Sequence, residues 1–215
     1  MGKNLTVVKL INMNKKLIEV IESLNTSNIP DDRKVILKKL INYIQKKIEA
    51  DKLVRLNFIC THNSRRSHLS QVWMQTMANY FEINNIFCYS GGTEATAIYS
   101  STVETLKDSG FDILKLSNGD NPIYSIKYDK NEPPIIAFSK VFESEFNPSD
   151  NFAAIMTCSQ VEQECPYVPL AEIQIPITFE DPKAFDNTPL EKEKYNERSL
   201  QIATEFFYVL SKIKK

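Results

Sequence analysis

The sequence predicts an α/β protein in which helices cover a parallel four-stranded sheet, with an N-terminal helical extension and an inserted β-hairpin. Three observations predict this class. Apolar strand-like segments alternate with segments whose apolar residues recur at helical spacing, which is typical of parallel sheets. Two further strand-like segments flank the turn sequence DKNEPP, which is typical of a hairpin. Two amphipathic helical patterns precede the first strand.

Residues 1–51 form the predicted helical extension. Its first helix spans about residues 14–24, and its second follows Pro30, with Asp31 and Asp32 near the positive end of the helix dipole. The apolar stripe of the second helix could pack on the main domain or on a second subunit, and the latter would make a homodimer. That stripe consists of Leu37, Leu40, Ile41, Ile44 and Ile48.

Residues 52–215 form the predicted main domain. Its first strand, 53–59, enters the sequence CTHNSRRS, and a helix follows. A strand over 86–89 and a helix that ends at Gly110 come next. The remaining predicted elements are the hairpin insert (121–142), a buried strand (150–157) and a final helix that begins with the capping sequence Thr188-Pro189-Leu190-Glu191.

The composition argues against nucleic-acid binding and against a membrane protein. A length of 215 residues with 42% hydrophobic and 25% charged residues suits one sizeable core. The formal net charge of -1 gives no basic field for nucleic acid. Because no apolar run approaches the ~20 residues of a membrane helix, we expect no membrane association and a cytoplasmic location. There the cysteines should mostly be reduced; they are Cys60, Cys88, Cys158 and Cys165.

The segment CTHNSRRS, residues 60–67, lies where a strand turns directly into a helix. Such a junction directs backbone N–H groups and the helix dipole at one spot, which forms an anion cradle. In that field Cys60 should ionise, Arg66 can hold two oxygens of a tetrahedral oxyanion, and Ser67 can hydrogen-bond the sulfur. Asn63 suits a left-handed backbone position. The predicted oxyanion-binding residues are Thr61, His62, Asn63, Ser64, Arg65 and Arg66.

This C-x5-R-S segment resembles the phosphate-binding loop of the low-molecular-weight protein tyrosine phosphatases and of the thioredoxin-coupled arsenate reductases. The resemblance covers about residues 52–215. It implies that Asp181, which precedes Pro182, is the general acid that protonates the leaving oxygen. The chain departs from the family at His62, where a small residue is usual, and at Gln71, where an acidic ligand of a potassium ion is expected. We therefore predict neither a metal nor a cofactor.

Cys158 and Cys165 stand seven residues apart after a predicted strand. The spacing does not favour zinc, and two inert core cysteines remain an alternative. The resemblance to thioredoxin-coupled arsenate reductases implies a relay in which Cys158 attacks Cys60 and Cys165 then attacks Cys158. This relay requires a mobile 159–164 segment and a thioredoxin-like reductant. Cys88, within a strand-like segment, is interpreted as a core residue.

Three functions remain open at this point. The first is arsenate reduction through the cysteine relay. The second is hydrolysis of phosphotyrosine or small phosphomonoesters through a phosphocysteine intermediate, with the cysteine pair protecting Cys60 from oxidation. The third is a non-catalytic oxyanion-binding module, which would need neither Asp181 nor the cysteine pair.

Overall fold

The computed structural model describes residues 12–158 and 167–215. Its helices are α1 (Lys15–Glu22), α2 (Asp31–Glu49), α3 (Arg66–Tyr80), α4 (Ser100–Asp108) and α5 (Glu191–Ser211), with 3₁₀ turns at Thr26–Asn28 and Pro182–Phe185. Its strands are β1 (Val54–Cys60), β2 (Ile86–Gly92), β3 (Asp112–Lys115), β4 (Tyr124–Lys127), β5 (Ile135–Ala137), β6 (Phe152–Met156) and β7 (Ala171–Pro176). Cys165 and the 159–164 segment lie outside the described residues.

The predicted parallel four-stranded sheet is confirmed. Its strand order is β2-β1-β6-β7, and every neighbouring pair is parallel. The central strand β1 is buried on both faces, with the adjacent Phe58 and Ile59 fully enclosed. Its parallel pairing with β6 places the carboxyl ends of β1 and β6 side by side at one edge, where ligand sites of open α/β sheets form.

The N-terminal helices pack on the chain's own core. Leu37, Leu40 and Ile44 of α2 are fully buried in the same apolar cluster as Phe58 of β1 and Phe206 of α5. Helix α2 contacts α5, β7 and β1. The apolar stripe is therefore covered within the chain, and it no longer argues for a homodimer.

An ion pair ties the same helix to the C-terminal helix. Arg33 donates two hydrogen bonds to the carboxylate of Glu205, which is almost fully buried, at 2.7 and 3.0 Å. The Arg33 guanidinium also lies 4.9 Å from the ring centre of Phe179. Because a buried carboxylate is costly without its partner, this contact favours docking of α2 against α5.

The insert contains one more strand than the predicted hairpin. Strands β4 and β5 pair antiparallel as expected, but β3 pairs with the other side of β4 and makes a three-stranded sheet. The sequence DILK of β3 is largely exposed, so it lacks the apolar pattern that marks a buried strand. The second sheet therefore begins at residue 112, earlier than the predicted 121.

The helix ends agree with prediction at one place and differ at another. Gly110 has φ of +104° and follows the last turn of α4; its N–H donates to Lys107, as in a glycine C-cap. Helix α5 begins at Glu191 and not at Pro189, because a turn holds the Glu191 N–H on the Thr188 carbonyl. The Glu191 carboxylate instead accepts a hydrogen bond from the Asn187 N–H at 2.7 Å.

We predict that Leu40→Ala lowers the free energy of unfolding by about 2–5 kcal/mol, because it opens a cavity under a fully buried side chain. Val35→Ala on the same helix removes a 65% exposed side chain and should cost less than about 0.5 kcal/mol. Urea unfolding of both variants measures the difference. Equal effects would mean that α2 is not docked in solution.

Candidate active site

The loop of residues 61–65 joins β1 to α3 at the carboxyl edge of the sheet. Cys60 ends the strand and is 6% exposed, and Arg66 begins the helix. Asn63 has φ of +44°, the left-handed conformation predicted for it. The loop can therefore turn tightly without glycine, since asparagine tolerates this region better than most residues.

Carbonyl groups of the loop are hydrogen-bonded from its outer side. The donors belong to the segment 93–102 after β2 and to the inserted segment near residue 139. The bonds run from the Glu94 N–H to the Thr61 carbonyl (2.9 Å), from the Ser139 hydroxyl to the His62 carbonyl (2.8 Å) and from the Tyr99 N–H to the Ser64 carbonyl (3.1 Å).

This anchoring determines where the loop N–H groups point. In a trans peptide the carbonyl and the following N–H are directed oppositely, and the described chain has no cis peptide bond. The N–H groups of His62, Asn63 and Arg65 therefore point away from the scaffold, and no described residue accepts from them. The Thr61 N–H donates to Cys158 Sγ at 3.1 Å. The loop thus presents main-chain donors that an oxyanion could accept.

A small recess lies in front of these donors. Most of the predicted oxyanion-binding residues line it, together with the candidate general acid. Asn63 does not line it through its side chain, which is directed to Ser67 and to the backbone of Lys140. The lining residues are Cys60, Thr61, His62, Ser64, Arg65, Arg66 and Asp181.

Cys60 is stabilised as a thiolate. The neighbouring Cys158 is the largest influence, and together with Ser67 and the charge of Arg66 it outweighs burial and lowers the Cys60 pKa to about 5. The Ser67 hydroxyl lies 3.0 Å from the sulfur, and Asn63 Nδ2 donates to that hydroxyl at 2.9 Å. A thiolate is the nucleophilic form of cysteine, so Cys60 is in its reactive form at neutral pH.

Cys158 follows β6 and reaches Cys60 because β6 pairs with β1. The neighbouring Cys60 and burial raise the pKa of Cys158 well above its usual range, so Cys158 is the proton-bearing partner. Both are free thiols. Cys88 is buried within β2, and burial raises the pKa of its thiol, in agreement with a core position.

Arg66 lies almost fully buried at the edge of the recess. Its Nη1 donates to the Phe179 carbonyl at 2.9 Å, and its Nη2 donates to Asp181 Oδ2 at 2.5 Å. Asp181 also accepts from the Lys183 N–H at 3.0 Å, which caps the following 3₁₀ turn. Asp181 is thus held at the mouth within reach of the oxygens that Arg66 would bind.

Arg65 has a different task from the one its position suggests. Its guanidinium is hydrogen-bonded to Asp186 and to the Tyr195 hydroxyl, and it lies 4.2 Å from the ring centre of Tyr99. The Arg65 guanidinium therefore links the loop to Asp186 and Tyr195, and its backbone N–H is the group that faces the recess. His62 has a more exposed side chain, and its Nε2 lies 3.8 Å from the Glu94 carboxylate.

Sequence reasoning missed the supports that come from the insert. The Lys140 N–H donates to Asn63 Oδ1 at 3.0 Å, and Asn121 accepts from the Ser139 N–H at 3.1 Å while donating to its carbonyl at 2.8 Å. The insert therefore fixes two neighbouring residues in the middle of the loop: Ser139 binds the His62 carbonyl, and Lys140 binds the Asn63 side chain. No local signal marks them, because they join segments that are about 77 residues apart.

The fold and the site together define an α/β protein that carries a cysteine with a lowered pKa at a loop between a strand and a helix, and main-chain donors of that loop face a small recess. Residues 12–158 and 167–215 contain no cluster of three or more His, Cys, Asp or Glu side chains suited to a metal ion. Within the same ranges no helix combines the length and apolar character that crossing a membrane requires.

No protein-family model and no curated protein matches the sequence. Solved structures resemble the fold at low identity. An arsenate reductase in the phosphate-binding state is 16% identical, with a TM-score of 0.49 over 75% of this chain and 100% of that one. An Archaeoglobus fulgidus arsenate reductase is 16% identical (TM-score 0.48, 73% and 99%). A Vibrio cholerae low-molecular-weight phosphotyrosine phosphatase is 15% identical (TM-score 0.46, 74% and 94%).

We predict that iodoacetamide alkylates Cys60 with a pH midpoint near 5, because the thiolate persists down to its lowered pKa. Below that midpoint the rate should fall about tenfold for each pH unit. Cys158→Ala should move the midpoint upward, since it removes the largest stabilising hydrogen bond. Cys158→Ser keeps a donor and should move it less. Mass spectrometry of the alkylated peptide measures the rates, and identical midpoints in all three proteins would contradict the thiol–thiolate contact.

A second prediction concerns Gly92. A Cβ at this position would lie 2.6 Å from the Thr61 carbonyl oxygen and 2.7 Å from the Asn63 nitrogen, so Gly92→Ala must displace the loop. We expect at least a tenfold loss of Cys60 alkylation at pH 6, about 1.4 kcal/mol or more in the barrier. Gly119→Ala is the control for backbone strain alone, because its φ is +110° but its Cβ would meet nothing within 4 Å. A Gly92→Ala protein as reactive as the control would show that the loop needs no close approach here.

Proposed function

We propose that the protein is an arsenate reductase that uses a relay of Cys60, Cys158 and Cys165. The observation that carries this proposal is the position of Cys158 beside Cys60: the Cys158 sulfur accepts from the Thr61 N–H at 3.1 Å, and each cysteine shifts the pKa of the other. A phosphoryl-transfer loop needs one nucleophilic sulfur. A second cysteine beside the first is what the reduction of a cysteine-bound oxyanion requires.

In the first step the Cys60 thiolate attacks the arsenic of dihydrogen arsenate. The loop N–H groups and Arg66 hold the oxyanion, and the Arg66 fork turns from Asp181 to the substrate oxygens. Asp181, released from the guanidinium, takes a proton from one substrate hydroxyl and passes it to the departing hydroxyl, so that a sulfur–arsenic bond forms while an arsenic–oxygen bond breaks and water leaves. The buried position of Arg66 keeps its charge effective during this step.

In the second step Cys158 attacks the Cys60 sulfur. In the resting protein the Cys60 charge raises the Cys158 pKa, and that charge disappears once Cys60 is bonded to arsenic. Arg66 continues to favour the Cys158 thiolate. The new sulfur–sulfur bond forms as the sulfur–arsenic bond breaks, and its electron pair stays on arsenic. Arsenate is thereby reduced to arsenite, and a Cys60–Cys158 disulfide remains.

In the third step Cys165 attacks Cys158 and restores the Cys60 thiolate. Cys165 lies outside the described residues, so its role rests on its spacing from Cys158 and on the resemblance stated above. The resulting Cys158–Cys165 disulfide requires two electrons and two protons, which a thioredoxin-like dithiol would supply.

The alternative is a phosphatase acting on phosphotyrosine or a small phosphomonoester. The loop N–H groups, Arg66 and Asp181 would serve that reaction equally, with water in place of Cys158 in the second step. In that case the contact between Cys158 and Cys60 would only protect the nucleophile. Phosphate-ester hydrolysis by the parent protein therefore does not separate the two functions.

We predict that Cys165→Ser abolishes thioredoxin-coupled arsenate turnover but allows one turnover per molecule, because the first disulfide can form and cannot be resolved. Mass spectrometry after a single exposure to arsenate without reductant should find Cys60 linked to Cys158. Cys88→Ala is the matched control, since Cys88 lies within the core, and it should turn over repeatedly. Cys60→Ser should be inactive in every assay.

Parental turnover by Cys165→Ser would contradict the relay. Loss of arsenate turnover in all proteins, with p-nitrophenyl phosphate hydrolysis that requires Cys60 and Asp181 but not Cys158, would support the phosphatase instead. Oxyanion binding without turnover of either substrate would leave the loop as a binding module.

A further inference from the structure

A second and larger cavity lies behind the loop, away from Cys60. It has a volume of about 620 Å³ and is enclosed by α3, the free edge of β2 and the inserted sheet. We call it the Lys140 cavity, after the cation that lines it. Much of its wall is apolar or aromatic, including Tyr89, Tyr128 and Phe138. A cavity of this size suits a small molecule with a ring system.

Two buried amide oxygens in the cavity wall have no partner among the described residues. They are Gln71 Oε1 and Asn147 Oδ1, and their side chains are 5% and 8% exposed. Each amide nitrogen donates to a carbonyl at the edge of β2, Gln71 to Cys88 at 3.0 Å and Asn147 to Ser90 at 3.1 Å. The orientation of each amide is therefore determined, and the oxygens remain as acceptors that a ligand could use.

The third polar group in the wall is Lys140. Its side chain is buried at 6% exposure, and its ammonium lies 4.8 Å from the Phe138 ring centre and 3.4 Å from the Phe138 carbonyl. No carboxylate among the described residues forms an ion pair with it, although Glu132 lines the same cavity. Desolvation lowers the pKa of Lys140 to about 8, so it is mainly charged at neutral pH. A buried cation of this kind favours an anionic partner.

We propose that the Lys140 cavity binds a small anionic amphipathic molecule. Its acidic group pairs with the Lys140 ammonium, its ring system packs on the aromatic wall, and an N–H or O–H group donates to Gln71 or Asn147. This site is separate from the recess at Cys60, and its occupancy does not depend on which reaction Cys60 performs. The proposal therefore stands or falls independently of arsenate reduction.

The test uses 8-anilinonaphthalene-1-sulfonate, which combines an aromatic body, an N–H donor and a sulfonate. Fluorescence titration of the parent protein should show saturable binding. Lys140→Met keeps the length of the side chain and removes its charge, and it should weaken binding at least tenfold. Lys46→Met is the matched control, because Lys46 lines a different cavity of about 540 Å³ next to α2. Its affinity should stay within twofold of the parent.

A neutral probe separates charge pairing from apolar contact. N-Phenyl-1-naphthylamine has the same rings and N–H group but no sulfonate, so Lys140→Met should leave its affinity unchanged. Failure of the sulfonate to bind the parent, or equal binding by Lys140→Met, would overturn the proposal. Weakening by Lys46→Met instead would assign the probe to the other cavity.

Discussion

The outward anchoring of the loop carbonyls is the constraint on which the candidate site depends. A peptide group has two polar ends, and fixing one end against the scaffold aims the other. Here the scaffold is supplied by the segment after β2 and by Ser139 of the insert. The main-chain donors that face the recess are thus set before any anion arrives, which is the preorganisation that electrostatic stabilisation of a developing charge requires.

The two cysteines act as a unit because each shifts the pKa of the other. Each residue alone would be an ordinary buried thiol, with burial opposing ionisation. In the pair, Cys60 carries the negative charge, which Ser67 and Arg66 stabilise, and Cys158 keeps its proton. Changing the bonding of Cys60 therefore changes the acidity of Cys158, so the order of events in a relay can follow from electrostatics without any large movement of β6.

The parts of the site that are contiguous in sequence were predictable. Cys60, Asn63 and Ser67 belong to one local motif whose backbone and side-chain geometry follow from its spacing. The contacts of Ser139 and Lys140 were not predictable, because neither residue carries a distinctive pattern and each reaches the loop across a long separation in sequence. Asp186 illustrates the same limit: it lies only five residues after Asp181, and its bonds to Arg65 and Tyr195 become apparent only in the fold.

The fold shows a similar division. Buried strands and amphipathic helices were recognised because burial imposes a period on the sequence. Strand β3 was missed because its side chains face solvent, and the start of α5 was misplaced because the turn at Pro189 depends on the bond between Glu191 and Asn187. The docking of α2 could not be assigned from its stripe alone, since an apolar face does not identify its partner.

The pairing of Arg66 with Asp181 gives the protein an internal competitor. A carboxylate attached to the chain occupies the guanidinium at a high effective concentration, of the order of millimolar or above. Any external oxyanion must displace it, and its measured affinity is lower than the intrinsic affinity of the loop by that competition. Neutralising the tethered group would therefore tighten the binding of inert anions even as it removed the proton donor, so affinity and turnover would change in opposite directions.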